Sequence, residues 1–118
     1  MNTCILVVDD EMDILDFVQP FLNEEGYDVR TSTSGSIFQH VLRDHIDLIL
    51  LDILLHEKDG RLICQQLKAH ELTKHIPVIL FSAHVRRENA LSESLADDFI
   101  RKPFELRELL EVIKNHLP

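Results

Sequence analysis

Three carboxylates, a hydroxyl and an ammonium stand at the ends of apolar runs in this sequence. Ile5-Leu6-Val7-Val8 leads into Asp9 and Asp10, Leu48-Ile49-Leu50-Leu51 into Asp52, and Val78-Ile79-Leu80-Phe81 into Ser82. Lys102-Pro103 follows Phe99 and Ile100. Carboxylates gathered at one place repel, and one keeps its proton unless a cation intervenes. A hard divalent cation with oxygen ligands removes that conflict. Mg²⁺ takes one or two carboxylates together with waters and phosphate oxygens, so Asp9, Asp10 and Asp52 read as a Mg²⁺ site. Lys102 would balance the carboxylates and contact an incoming phosphoryl group. Pro103 lowers the cost of a cis peptide, which would aim Lys102 inward.

Such a gathering requires strands that point the same way. Apolar runs without polar interruption indicate strands buried on both faces, as in a parallel sheet covered by helices. Ligands bind at the carboxyl edge of such a sheet. The chain reads as five strand–helix alternations. Strand one is placed at about 4–9 and helix one at about 12–25, with Ile14, Leu15, Phe17, Val18, Phe21 and Leu22 as its apolar stripe. Pro20 removes the hydrogen bond to the Asp16 carbonyl, so a kink or a restart is expected there, and Gly26 is placed to close the helix. Residues 27–31 alternate apolar and polar, the pattern of an edge strand. Ser34 can cap helix two, about 35–44, with Ile37, Phe38, Val41 and Leu42 on its inner face. Strand three is placed at about 47–52, helix three at about 60–70 with Leu62, Ile63 and Leu67, and strand four at about 77–82. Helix four, about 85–95, is weakly patterned. Phe99 and Ile100 centre a short fifth strand, and Leu106, Leu109, Leu110, Ile113 and Leu117 mark helix five, about 105–117. Right-handed crossovers then give a flavodoxin-like, doubly wound α/β sheet of order 2-1-3-4-5 with helices on both faces, and strands one and three adjoin at the switch point.

The 118 residues suit one domain, 1–118. Hydrophobic content of 45% and charged content of 28% are those of a globular protein rather than a disordered one. No apolar stretch approaches the roughly 20 residues of a membrane span. A net charge of −9, with only Arg86-Arg87 and Arg101-Lys102 as basic pairs, argues against nucleic-acid binding by this segment. Cys4 and Cys64 form no spacing motif and read as reduced, semi-buried thiols of a cytoplasmic protein. The seven histidines show no zinc spacing, and no nucleophile elbow supports a hydrolase built on Ser82 and His84.

Over essentially its whole length the chain resembles a response-regulator receiver domain (CheY-like) of two-component signal transduction. The resemblance is carried by Asp9-Asp10, Asp52 with Asp59-Gly60 downstream, Ser82-Ala83, and Ala96-Asp97-Asp98-Phe99 leading to Lys102-Pro103-Phe104. It implies that Asp52 is the phosphoacceptor and that Asp9, Asp10 and Asp52 hold Mg²⁺ with the backbone carbonyl of Leu54. It also implies that Ser82 hydrogen-bonds a phosphoryl oxygen, that Lys102 pairs with the phosphoryl group, and that Phe99 is the switch aromatic. The implied function is a signalling switch phosphorylated by a sensor histidine kinase, a phosphotransfer protein or a small acyl phosphate. Such a protein is no conventional enzyme, but catalyses its own phosphorylation and dephosphorylation. Phosphorylation would remodel the face of helix four, strand five and helix five, toward an effector domain or protein or toward a homodimer.

The sequence departs from the family pattern in places. His56 and Leu95 stand where the family usually has Pro and Gly. Without Gly, a left-handed end to helix four costs about 1 kcal/mol or more, so that helix is expected to end differently or to fray. Phe99 lacks the hydroxyl of the commoner Tyr, which favours its inward position before phosphorylation. Leu54 and His84 would overhang the pocket and tune how fast water reaches an acyl phosphate. Arg86-Arg87 oppose the dipole of helix four and read as a solvated pair or a partner contact. The alternative function is a phosphorylation-independent interaction module with the same fold. The intact set of Asp9, Asp10, Asp52, Ser82 and Lys102 favours the switch.

Overall fold

A computed structural model describes residues 2–34, 37–56 and 58–118. The expected start of helix two at 35 and the inward placing of the Leu42 side chain lie outside the described residues. Each apolar run forms a strand: β1 is Cys4–Val8, β3 is Leu48–Asp52 and β4 is Val78–Ser82, all buried at every position. The alternating segment forms β2, Asp28–Ser32, and β5 is Asp98–Arg101. The five strands pair in parallel in the order β2-β1-β3-β4-β5, the expected flavodoxin-like arrangement with β2 at an edge.

Successive side chains of a strand point to opposite faces, so each run feeds two cores. Leu6, Val8, Ile49, Leu51, Val78 and Leu80 pack with Ile37 of α2 (Ile37–Arg43), Ile63, Cys64 and Leu67 of α3 (Gly60–Ala69) and Ala90 of α4 (Arg87–Ser94). Ile5, Val7, Leu48, Leu50, Ile79 and Phe81 pack with Leu15, Val18 and Leu22 of α1 (Met12–Glu24) and Leu109 and Ile113 of α5 (Leu106–Asn115). Burying a side chain of this kind contributes roughly 1.5–3 kcal/mol, so both cores press the strand ends into register.

Several local expectations are corrected. α1 continues through Pro20 without a restart, and Asp16, whose carbonyl loses its helical partner, is an exposed residue. Gly26, with φ +96°, closes α1 as expected. Phe17 and Leu62 are half exposed, as α1 and α3 bury narrower stripes than their apolar residues suggest. Both cysteines are buried rather than semi-buried, Cys64 completely, and burial pushes the Cys64 thiol up to about 12. Leu54–Leu55 and Lys58–Asp59 form a short antiparallel ribbon that the sequence does not announce.

α4 ends at Ser94, and Leu95 adopts the left-handed conformation (φ 65°, ψ 18°) despite its side chain. The cap is therefore the ordinary one, with the strain retained rather than avoided. Leu95 is 65% exposed, so its side chain contributes little packing. Leu95→Gly is expected to raise stability by about 1 kcal/mol, whereas Leu95→Ala, which keeps the strain, should give no gain. Urea denaturation of the three proteins checks this, and an equal gain from alanine would contradict it.

Candidate functional site

Parallel pairing brings the strand ends to one edge. Asp9 follows β1 and is fixed there by its backbone N–H donating to the Ser32 carbonyl (3.1 Å). Asp52 closes β3 opposite Phe81 of β4. Ser82 closes β4, and its carbonyl accepts from the Lys102 backbone N–H at 3.0 Å. One ligand oxygen from each of Asp9, Asp10 and Asp52 lies within 4.8 Å of the others. Asp10, Glu11, Asp52, Leu54, His56, Ser82, Ala83, His84 and Lys102 line an open cleft of about 320 Å³ over this group. Leu54 and His84 do stand at the cleft, as expected, and Leu54 is half exposed.

The Lys102–Pro103 peptide is cis. The Lys102 Nζ lies 2.8 Å from Asp9 Oδ2 and 3.5 Å from Asp52 Oδ1, and 4.8 Å above the Phe81 ring. Asp9 is fully buried, so this ammonium compensates a charge that water does not reach. Asp9 Oδ1 also accepts the Glu11 N–H at 2.9 Å, which ties the carboxylate to the start of α1.

Asp52 is 4% exposed. Burial, and then the charge of Asp9, push its carboxyl up to about 7, against the pull of Lys102 and of the Leu54 N–H. A carboxylate held in this way is more basic, and a better oxygen nucleophile, than one in water. The grouped ligand atoms of Asp9, Asp10 and Asp52 are oxygens with an excess of negative charge that one lysine only partly balances. That set suits a hard divalent cation such as Mg²⁺.

α3 starts directly beneath Asp52. The Gly60 N–H donates to the Ile53 carbonyl at 2.7 Å, and a Cβ at Gly60 would lie 2.3 Å from the Asp52 carbonyl oxygen. Asp59 caps α3 by accepting the Arg61 N–H at 2.8 Å, and the Arg61 guanidinium holds its carboxyl below the usual range. Arg61 also reaches Glu93 of α4 at 2.9 Å.

At the other end of the cleft, Ser82 Oγ accepts the His84 N–H at 3.2 Å. Phe99 is buried against Leu80 and Ala90 in the core beneath α4. Arg87 is 55% exposed, as a solvated residue would be, but it is also engaged: its guanidinium donates to the Phe99 carbonyl (3.0 Å) and pairs with Asp98 at 3.0 Å. Burial pushes the Asp98 carboxyl up, but hydrogen bonds from His116, the Phe99 N–H and Arg87 outweigh it and hold the group low. Sequence reasoning missed this clasp because its members lie on separate elements. The same is true of His56, whose backbone N–H donates to Asp10 Oδ2 at 3.0 Å.

Residues 5–114 match the family model described as response regulator receiver domain. The response regulator SaeR of Staphylococcus aureus (strain USA300) is 38% identical over 98% of this chain, and the match takes in 50% of SaeR. The chain thus spans about half the length of the curated relatives it matches. A crystal structure of a putative response regulator from Chloroflexus aurantiacus superposes with a TM-score of 0.89 at 31% identity, covering 98% of this chain and 97% of that one. The chemotaxis protein CheY4 of Vibrio cholerae has a TM-score of 0.91 at 22% identity over 99% and 100% of the two chains, a likeness of fold. Among the described residues no helix is long and apolar enough to cross a membrane.

Proposed function

The chain belongs to the response regulator receiver domain family, and on that premise we propose that it is a phosphorylation-controlled switch whose acceptor is Asp52. The observation that carries the reading is the meeting of three carboxylates from two strand ends, within 4.8 Å, with Lys102 against two of them.

In the proposed reaction a carboxylate oxygen of Asp52 attacks phosphorus and forms a new O–P bond. The P–N bond of a phosphohistidine, or the P–O bond of a small acyl phosphate, breaks in line, and the leaving group departs with its electron pair. Asp9, Asp10 and Asp52, with the Leu54 carbonyl, would hold Mg²⁺, which when bound supplies positive charge to the phosphoryl oxygens. Lys102 stands 3.5 Å from Asp52 and adds its own charge at the same place. The Ser82 hydroxyl is free to donate, because it accepts rather than donates in its bond with His84. Leu54 and His84 at the cleft mouth would set how readily water reaches the acyl phosphate.

Drawing Ser82 toward the phosphoryl group moves the segment that leads into α4. Phe99, already inward, and the Arg87 clasp on Asp98 make the α4–β5–α5 face the part that responds. This is a shift between two packings, driven by contacts that only the phosphorylated state makes. The proposed partners are a sensor histidine kinase or phosphotransfer protein upstream and an effector domain or protein downstream, with a homodimer as one output and the cytoplasm as the setting. Half-length coverage of the response regulator relatives supports an effector portion outside this sequence.

Intact mass after incubation with acetyl phosphate and Mg²⁺ tests the reading. One phosphoryl adduct is expected on the wild type and none on Asp52→Asn. A wild type that stays unmodified by a donor that phosphorylates a control receiver would favour the interaction module instead.

A further inference from the structure

We infer that His56 adds a nitrogen ligand to the carboxylate site and thereby gives it a preference for borderline transition cations, of which Ni²⁺ is the sharpest probe, over Mg²⁺. The inference rests on the reading of Asp9, Asp10 and Asp52 as a cation site.

The His56 ring lies at the rim of the cleft that Asp10 and Asp52 line. Its Nδ1 is 3.5 Å from Asp10 Oδ2, and its backbone N–H holds that same oxygen at 3.0 Å. Main chain and ring thus address one ligand carboxylate together. Two donors about 2.1 Å from a common ion, at right angles, are about 3 Å apart. The ring is near Asp10 but stands outside the group of Asp9, Asp10 and Asp52 ligand atoms that lie within 4.8 Å of one another, so a turn of the side chain is needed to bring it onto a common ion. The side chain is 82% exposed, so that turn breaks no packing.

The chemistry follows from ligand type. Mg²⁺ gains little from an imidazole, because it prefers oxygen and keeps its waters. Affinity for mixed nitrogen and oxygen sites rises along the first-row series to Ni²⁺ and Cu²⁺, and imidazole is a favoured ligand of these ions. A nitrogen beside three carboxylates therefore raises affinity for Ni²⁺ and, to a smaller degree, Mn²⁺, while leaving Mg²⁺ nearly unchanged. Proline, usual at this position, has neither the imidazole nor the backbone N–H.

The test is calorimetric titration of the whole chain with Mg²⁺, Mn²⁺ and Ni²⁺, for wild type, His56→Ala, His56→Gln and Asp10→Asn. Only Ni²⁺ that saturating Mg²⁺ displaces is counted, since the other histidines also attract this ion. Both His56 variants are expected to weaken the counted Ni²⁺ binding about tenfold and Mg²⁺ binding by less than about twofold. Asp10→Asn should weaken both ions. Unchanged Ni²⁺ affinity in the His56 variants overturns the inference. So does an equal loss for Ni²⁺ and Mg²⁺, which would mean that His56 only shapes Asp10. Absence of any Mg²⁺ binding to the wild type would instead fail the underlying site reading.

Discussion

Gly60→Ala is expected to destabilise the protein by about 3 kcal/mol or more. The added methyl would lie 2.3 Å from the Asp52 carbonyl oxygen, 2.9 Å from the Ile53 Cα and 3.1 Å from the Asp52 carbonyl carbon. All three atoms are backbone at the end of a buried central strand, so no flexible side chain can swing aside. Relief requires moving the first turn of α3 away from the sheet. That would break the Gly60 N–H bond to Ile53 and open the core around Ile63, Cys64 and Leu67. Gly26 supplies the contrast. Its backbone is left-handed, yet a Cβ there meets nothing within 4 Å. Gly26→Ala should therefore cost only the conformational strain, about 1 kcal/mol. Urea midpoints for the two variants separate a steric demand from a dihedral one, and equal losses would refute the close-approach account.

Asp52→Asn is expected to stabilise the protein in chelator-containing buffer, and increasingly so as pH rises. The Asp52 carboxyl is raised to about 7 in the folded state, against about 3.9 in an unfolded chain. A group whose folded value is raised binds its proton more tightly when folded, so unfolding releases that proton. Its contribution to stability is present below about pH 4 and is lost as pH climbs toward 7. Above that, burying the ionised carboxylate beside Asp9 costs the wild type on the order of 4 kcal/mol at most. Asn keeps the shape and removes the charge. The gap between variant and wild type should thus be small near pH 4 and largest above pH 7, and Mg²⁺ should narrow it by favouring the wild type. A gap that is flat with pH would mean that burial and Asp9 do not govern this carboxyl.

The parallel sheet was legible because its signal is local. Four-residue apolar runs report burial on both faces, the alternation in 27–31 reports an edge, and Asp9, Asp10, Asp52, Ser82 and Lys102 sit at or just past the ends of strands whose direction a parallel sheet must share. Helix one and helix three were legible in extent but not in facing. Phe17 and Leu62 belong to apolar patterns wide enough for more than one orientation, and packing against the sheet chose the narrower one.

What the amino-acid order determined by itself was therefore the five strands of the parallel sheet and the five helices, the strand order and the edge at which the acids, the hydroxyl and the lysine arrive. What only the tertiary structure decided was how those groups meet. It set Lys102 against Asp9 across 93 positions of chain, turned Arg87 onto Asp98 and the Phe99 carbonyl, laid Gly60 on the Asp52 backbone, and brought the His56 ring to Asp10. Strand and helix periods are properties of neighbouring residues, so sequence carries them directly. Charge pairing, desolvation and van der Waals contact depend on distances of a few ångströms between distant segments. Those distances exist only once both cores have closed.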